Sequence, residues 1–161
     1  MSQIRLYVSI SLGCLLVLAA IAVHAQERFI DNGDGTVTDT KLGLMWAQTD
    51  NRVDIFWKQA GPWINRDFSN RIGPSYKDWR LPTISELKSL YVESPNYNGY
   101  RTQCGYTVKM VPAINISCIL VWSSDSALGL PLAFNFYLGS PFTVDFTDRN
   151  GCRVLPVRQI K

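Results

Sequence analysis

Histidine is nearly missing from this chain. Its single copy, His24, sits just ahead of the position where an export signal would be cut, so residues 26–161 contain none. That excludes Ser-His-Asp and Cys-His relays, histidine-type zinc sites and facial-triad iron. Cysteine is also sparse, with four residues and no CxxC spacing, so a thioredoxin-like redox role has no support. Excess charge is small: the formal net charge is +3, and losing Arg5 with the leader brings the two signs closer still. Such a balance does not fit a nucleic-acid binder. Beyond the N-terminus no apolar run is long enough to cross a bilayer. These absences favour binding over chemistry, although a hydrolase built on carboxylates alone needs no histidine and stays open.

What is present begins with an export signal. Met1–Arg5 is a short basic start, Leu6–Val23 is almost unbroken in apolar and small residues, and Val23-His24-Ala25 fits a small-residue cleavage site. The expectation is a signal peptide over residues 1–25, one domain over 26–161, and a place outside the cytoplasm, in a periplasm or beyond. An uncleaved anchor is the alternative. A lipoprotein signal is disfavoured because Cys14 lies too early and Ser11 is the wrong residue in the run before it. Cys104, Cys118 and Cys152 remain in the domain, and an oxidising compartment favours pairing. Cys104–Cys118 closes a short loop and is the preferred bridge, contributing roughly 3 kcal/mol in the chain-entropy account. A bridge to Cys152 stays open.

The domain opens on strand and turn chemistry. Phe29-Ile30 reads as a short strand, Asp31-Asn32-Gly33-Asp34-Gly35 as a turn, and Thr36–Asp39 as the return strand. After a second turn over Lys41–Gly43, Leu44-Met45-Trp46 enters the core. Val53–Asn70 is partly helical, with Ile55, Phe56, Ala60, Trp63, Ile64 and Phe68 as its apolar stripe and a break or kink expected at Gly61-Pro62. Thr83-Ile84-Ser85-Glu86 is a capping box that starts a second helix, whose face is Ile84, Leu87, Leu90 and Tyr91. Residues 94–106 read as a loop. Strands follow over Ile119–Ser123, Ala133–Tyr137, Phe142–Phe146 and Arg153–Ile160. The class is α+β: an N-terminal β-hairpin, two helices and a C-terminal antiparallel β-meander.

Several blocks together resemble the Lcl C-terminal domain family. They are the run Phe29-Ile-Asp-Asn-Gly-Asp-Gly-Thr-Val-Thr-Asp-Thr, then Gly43-Leu-Met-Trp46, Asp78-Trp-Arg-Leu-Pro-Thr-Ile-Ser-Glu-Leu87, Val121-Trp-Ser-Ser124, Ala133-Phe-Asn-Phe-Tyr137 and Arg153-Val-Leu-Pro-Val-Arg158. The resemblance implies a C-type-lectin-like fold related to the formylglycine-generating-enzyme architecture. It also implies binding of sulfated polysaccharides, as for the collagen-like bacterial surface adhesin that gives the family its name. This chain carries no collagen-like stalk. The formylglycine analogy would require an activated thiol, and the sequence shows no pattern of adjacent basic partners that would supply one.

The resulting expectation is a non-catalytic module that recognises a glycan, sulfated or otherwise anionic, or a cell-surface protein. Its ligand-binding candidates are Tyr97, Tyr100, Arg101, Tyr106, Lys109 and Asp125, because tyrosines stack on sugar rings and cations or carboxylates fix polar groups. Lys109, Arg101, Arg149, Arg153 and Arg158 are candidates for a converging anion-binding face. Trp46, Trp79, Arg80, Thr83, Glu86 and Trp122 are assigned structural roles. Arg80 is expected to pair with Asp78 or Glu86, the alternative being a recognition triad of Asp78, Trp79 and Arg80. Asp31 and Asp34 have the oxygen chemistry of a calcium site, but no EF-hand pattern follows, and turn formation takes precedence. Lectin sugar motifs are missing, Glu93-Ser94-Pro95-Asn96 being one residue too long. No cofactor, nucleic acid or membrane span after cleavage is expected, and oligomerisation would add avidity. The alternatives are an envelope scaffold without a small ligand and an enzyme centred on a cysteine or carboxylates.

Overall fold

The computed structural model describes residues 27–71, 76 and 78–160, and the expected leader over residues 1–25 lies outside them. The described chain is mixed α and β, mostly short strands in antiparallel sheets with two helical regions. Among the described residues, no helix is long and apolar enough to cross a membrane.

The N-terminal strands form where the turn chemistry dictates. β1 (Phe29–Asp31) and β2 (Thr36–Asp39) pair antiparallel, and β3 (Leu44–Ala47) pairs with β2, so that Val37 faces Trp46. Gly33 and Gly35 hold φ of 75° and 84° between β1 and β2, a region open to residues without a Cβ. The turn carboxylates close on their own backbone: Asp31 accepts from the Gly33 N–H at 2.8 Å, and Asp34 from the Thr36 N–H at 3.0 Å. Arg28 forks onto Asp39 at 2.9 and 2.7 Å, which satisfies a fully buried carboxylate.

At Gly61-Pro62, where a break or kink is expected, the first helical region does not break but passes into a π-helical turn. α1 (Trp57–Trp63) contains Pro62, continues into a π-helical turn over Ile64–Phe68, and ends in a further turn, α2 (Ser69–Arg71). Pro62 forfeits one bond to the turn before it. The carbonyl left over belongs to Lys58, which is exposed, so water can take it and no break is required. Ala60, Ile64 and Phe68 are buried, as the stripe requires, whereas Phe56 and Trp63 are half-exposed. Phe56 precedes the helix in extended backbone, at φ −71° and ψ 146°, and so leaves the helical stripe.

α3 (Ile84–Lys88) is short and firmly started. The Thr83 hydroxyl accepts from the Glu86 N–H at 3.2 Å, and the Glu86 carboxylate accepts from the Thr83 N–H at 2.8 Å. Leu87 and Leu90 are fully buried beneath it. The stretch read as a plain loop over 94–106 contains part of a ribbon, β4 (Tyr100–Arg101) paired with β5 (Thr107–Val108). Gly99, at φ 71°, permits this closure, since a Cβ there would lie 2.1 Å from the Val108 carbonyl oxygen. Cys104 and Cys118 are joined by a disulfide across a separation of 14 residues.

The C-terminal half is only partly a meander. β6 (Leu120–Ala127), β7 (Leu130–Asn135) and β8 (Ser140–Thr143) are antiparallel neighbours, but β9 (Cys152–Arg153) lies parallel to β6 on its other side. The chain then leaves that sheet, and β10 (Val157–Gln159) pairs antiparallel with β3. The switch falls at Pro156, which has no amide hydrogen to continue a ladder. Residues 153–158 are buried throughout rather than alternating, because they pass between both sheets. The sheet orders are β1-β2-β3-β10 and β8-β7-β6-β9.

Both sheets feed one core around Trp46, Trp122, Phe134 and Phe136, all fully buried. Each such ring contributes roughly 2–3 kcal/mol on leaving water. The Trp122 indole donates to the Ile55 carbonyl at 2.8 Å and fixes β6 against the entry to α1. A buried polar knot ties the loop after β3 to the approach to β6. Asp50 accepts from the Ser117 N–H at 2.6 Å and from the Ser117 hydroxyl at 2.9 Å, and the same hydroxyl accepts from Arg153 Nε at 2.7 Å. Arg153 also pairs with Asp54. Burial raises the Asp50 carboxyl above its ordinary range despite these bonds.

Candidate functional site

The tyrosine-rich loop divides into anchors and a free surface. The Tyr97 hydroxyl donates to the Met110 carbonyl at 2.7 Å, and the Tyr100 hydroxyl accepts from the Ile116 N–H at 2.6 Å. Burial, with a smaller push from the Asp50 carboxylate, drives the Tyr100 phenol up to about 12. Both rings therefore brace the ribbon, and Tyr100 in particular is no stacking platform. Tyr106 is half-exposed and meets Tyr137 of the β7–β8 turn edge to face, with ring centroids 6.0 Å apart. Arg101 stands in register with Thr107, beside Tyr106, and the Lys109 N–H donates to the Phe136 carbonyl, beside Tyr137. Of the expected residues Tyr106 stays on this exposed edge, and Tyr137 joins it, a residue that strand patterning placed in a strand.

Asp125 does not join that surface. Between Trp122 and Ser126 the β6–β7 register shifts, and the bulged residues turn toward α3. The Asp125 carboxylate accepts from the Ile84 N–H at 2.6 Å, and the Ser124 N–H donates to the Pro82 carbonyl at 2.7 Å. Asp125 is a second cap on α3, delivered from another sheet. Chain order hid this, because the partners lie 41 residues apart.

The supposed cationic face also separates. Arg153 is buried against Asp54, and Arg158 is buried against Asp78 at 2.7 Å, with its guanidinium 4.9 Å from the Tyr76 ring. Arg80 selects Glu86, through bonds of 2.7 and 2.8 Å, so Asp78, Trp79 and Arg80 do not form one triad. Trp79 is buried in the core, where it packs edge to face on Phe68 at 4.9 Å. Asp31 and Asp34 are engaged in their turn, and among the described residues no cluster of metal-ligating side chains forms. Cys152 is a buried free thiol, and its burial, helped by the Asp148 and Asp54 carboxylates, pushes it up to about 12.

A concave surface lies along α1, where sequence reasoning placed only a core stripe. A cavity of about 410 Å³ is lined by Phe56, Lys58, Gln59, Phe146 and Thr147. A second, of about 280 Å³, shares Lys58 and Gln59 and continues past Pro62 and Trp63 to Arg66 and the carboxylate of Asp67. Together they make a groove whose helical side runs roughly 12 Å from Lys58 to Arg66 at helical rise. Aromatic rings and cations meet along it, with Asp67 at its far end. The Lys58 ammonium sits 5.1 Å from the Phe146 ring centre, and the Arg149 guanidinium 4.8 Å from that of Phe56. Trp57 braces Phe146 edge to face at 6.2 Å and donates its indole N–H to the Ser123 carbonyl at 2.9 Å. Among the described residues no salt bridge joins Lys58, Arg66 or Arg149 to a carboxylate. Asp145 is occupied by the Thr147 hydroxyl and N–H, at 2.6 and 2.8 Å, which hold it below the usual carboxylate range. The sequence signal for this groove was the recurrence of Lys58, Pro62 and Arg66 every four residues, one face of a helix.

The profile of the Lcl C-terminal domain family matches residues 35–158 of the chain. No curated protein and no solved structure shows a significant match.

Proposed function

The chain belongs to the Lcl C-terminal domain family, and on that premise we propose that it is an exported, non-catalytic module, C-type-lectin-like in fold, that binds an anionic glycan along the α1 groove. The observation that carries this reading is the meeting of partly exposed aromatic rings with cations that, among the described residues, no salt bridge engages, over two joined cavities. Sugar rings have apolar faces that stack on Phe56 and Phe146, and sulfate or carboxylate groups meet Lys58, Arg149 and Arg66. The Tyr106–Tyr137 edge offers a second, smaller aromatic surface. The lack of any histidine beyond His24 and a thiol held up to about 12 support binding rather than catalysis. No calcium is needed, since the cations of the protein supply the charge.

The test is capture of sulfated and neutral polysaccharides at two salt concentrations, with and without a chelator. Sulfated polymers should be retained, retention should fall as salt screens the charges, and chelation should change nothing. The double variant Lys58→Ala/Arg149→Ala should weaken capture about tenfold or more. Equal retention of neutral polymers, or an unchanged double variant, would refute the groove.

A further inference from the structure

The sequence contains three Asn-Gly steps: Asn32-Gly33, Asn98-Gly99 and Asn150-Gly151. This dipeptide is chemically labile, because glycine has no Cβ to shield its backbone nitrogen from the carboxamide that precedes it. The nitrogen can attack that carboxamide and close a cyclic imide. All three asparagines are exposed, and all three glycines are left-handed, at φ of 75°, 71° and 71°. Neither feature separates the steps. Hydrogen bonding does.

Asn32 is held on every side. The Gly33 N–H donates to Asp31 at 2.8 Å, and the Asn32 N–H donates to the Thr36 carbonyl at 3.0 Å. The Asn32 carboxamide donates to the Thr36 hydroxyl at 2.8 Å and accepts from the Thr38 hydroxyl at 3.1 Å. Asn150 is held through its backbone. Its N–H donates to Asp148 at 2.9 Å, the Gly151 N–H donates to Asp54 at 3.1 Å, and the Cys152 N–H closes on the Arg149 carbonyl at 2.9 Å. Asn98 and Gly99 differ. Among the described residues, no hydrogen bond engages the Asn98 side chain, its N–H or the Gly99 N–H. The chain is fixed just before them by the Tyr97 hydroxyl on the Met110 carbonyl, and just after them by the pairing of Tyr100 with Val108. The glycine cannot be exchanged for a safer residue, since a Cβ would lie 2.1 Å from the Val108 carbonyl oxygen. Closure of the ribbon thus requires the labile step and leaves it without an anchor of its own.

We propose that Asn98 is a site of spontaneous covalent modification in the folded protein, where it converts to aspartate and isoaspartate. The Gly99 nitrogen bonds to Asn98 Cγ, the bond from Cγ to the side-chain nitrogen breaks, and ammonia leaves with the proton that Gly99 gives up. Water then opens the imide. Attack at Cγ restores the original peptide bond and gives aspartate. Attack at the backbone carbonyl leaves the chain running through Cγ and gives isoaspartate. The only co-reactant is water. Both products carry a new negative charge, and isoaspartate adds a methylene to the backbone immediately ahead of β4. Asn32 and Asn150 are protected, because each must first release a bonded glycine N–H, and its rate then scales with the population of that local opening. The assignment is independent of the glycan-binding reading.

The experiment ages the purified protein in warm, mildly alkaline buffer, once folded and once reduced and denatured, and follows both samples by tryptic mapping. Cleavage after Arg28 and Lys41, after Lys88 and Arg101, and after Arg149 and Arg153 puts each asparagine on its own peptide. Mass spectrometry reads the gain of an amide-to-acid exchange, and enzymatic methylation of isoaspartyl groups reads the rearranged product. In the denatured chain the three sites should convert at similar rates. In the folded protein Asn98 should keep that pace, while Asn32 and Asn150 slow about tenfold or more. Asn98→Gln has a longer side chain that closes the ring poorly, and it should abolish the isoaspartyl signal formed in the folded state. Equal rates at the three sites of the folded protein overturn the assignment, as does an Asn98 slowed as strongly as the other two. An isoaspartyl signal that persists in folded Asn98→Gln also overturns it, by placing the reaction at another residue.

Discussion

Asp125→Ala separates a ligand-binding carboxylate from a structural one. In the native fold its carboxylate accepts from the first N–H of α3 at 2.6 Å, in a part-buried position. The helix is only five residues long and has few other means of satisfying its N-terminal donors. Alanine leaves that N–H without a partner and removes a negative charge from the positive end of the helix. A charge-assisted bond of this kind contributes about 2 kcal/mol. With an unfolding entropy near 2 cal/mol/K per residue, that loss lowers the midpoint of a domain of this length by about 6–8 °C. Asp125→Asn keeps an acceptor oxygen and should lose about half as much. The assay is thermal unfolding of the disulfide-intact protein, followed by circular dichroism, beside capture of a sulfated polymer. The expected result is a lower midpoint with unchanged capture. An unchanged midpoint with lost capture would show that Asp125 faces a ligand and that the α3 cap is inconsequential.

Two further outcomes follow from the buried groups. Because the Cys152 thiol is buried and held up near 12, a thiol reagent at mildly alkaline pH should leave it unlabelled in the folded protein and label it after denaturation; rapid native labelling would revive a thiol-based enzyme. For Glu86, burial opposes the charged form, but the Arg80 fork and the Thr83 N–H outweigh it and hold the carboxyl below its ordinary value of 4.5. A lowered folded value adds stability that is present above the unfolded value and is lost as pH falls through the folded one. Denaturant midpoints should therefore drop as the solution is acidified below about 4.5, and Glu86→Gln should flatten that part of the profile. A wild-type slope retained in Glu86→Gln would place the acid sensitivity elsewhere.

The local code of this chain is strong in places. Asp31–Gly35 specifies its turn because the residues that tolerate positive φ and the side chains that bond the turn backbone are neighbours in sequence. The same holds for Thr83 and Glu86, three apart, whose reciprocal bonds need nothing from the rest of the molecule. Trp46, Trp79 and Trp122 were legible as core because large apolar rings have nowhere else to go in a domain of this size. The preferred Cys104–Cys118 bridge followed from short loop closure, and the structure holds it.

Other features had no local carrier. Pro62 is read as a break or kink because its missing N–H is a local fact, whereas the exposure of Lys58, on whose carbonyl the lost bond falls, is not. Asp125 and Ile84 are brought together by a bulge in another sheet, and Arg158 finds Asp78 across 80 residues. The groove needed Phe146 and Arg149 to arrive beside Phe56 and Lys58, from loops some ninety residues apart in sequence. Sequence by itself settled the elements whose bonds close within a few residues, the family and the richness in aromatics. Tertiary structure decided which aromatics and cations stayed exposed, because burial and ion pairing are competitions among groups distant along the chain, and only the folded geometry declares which of them lose.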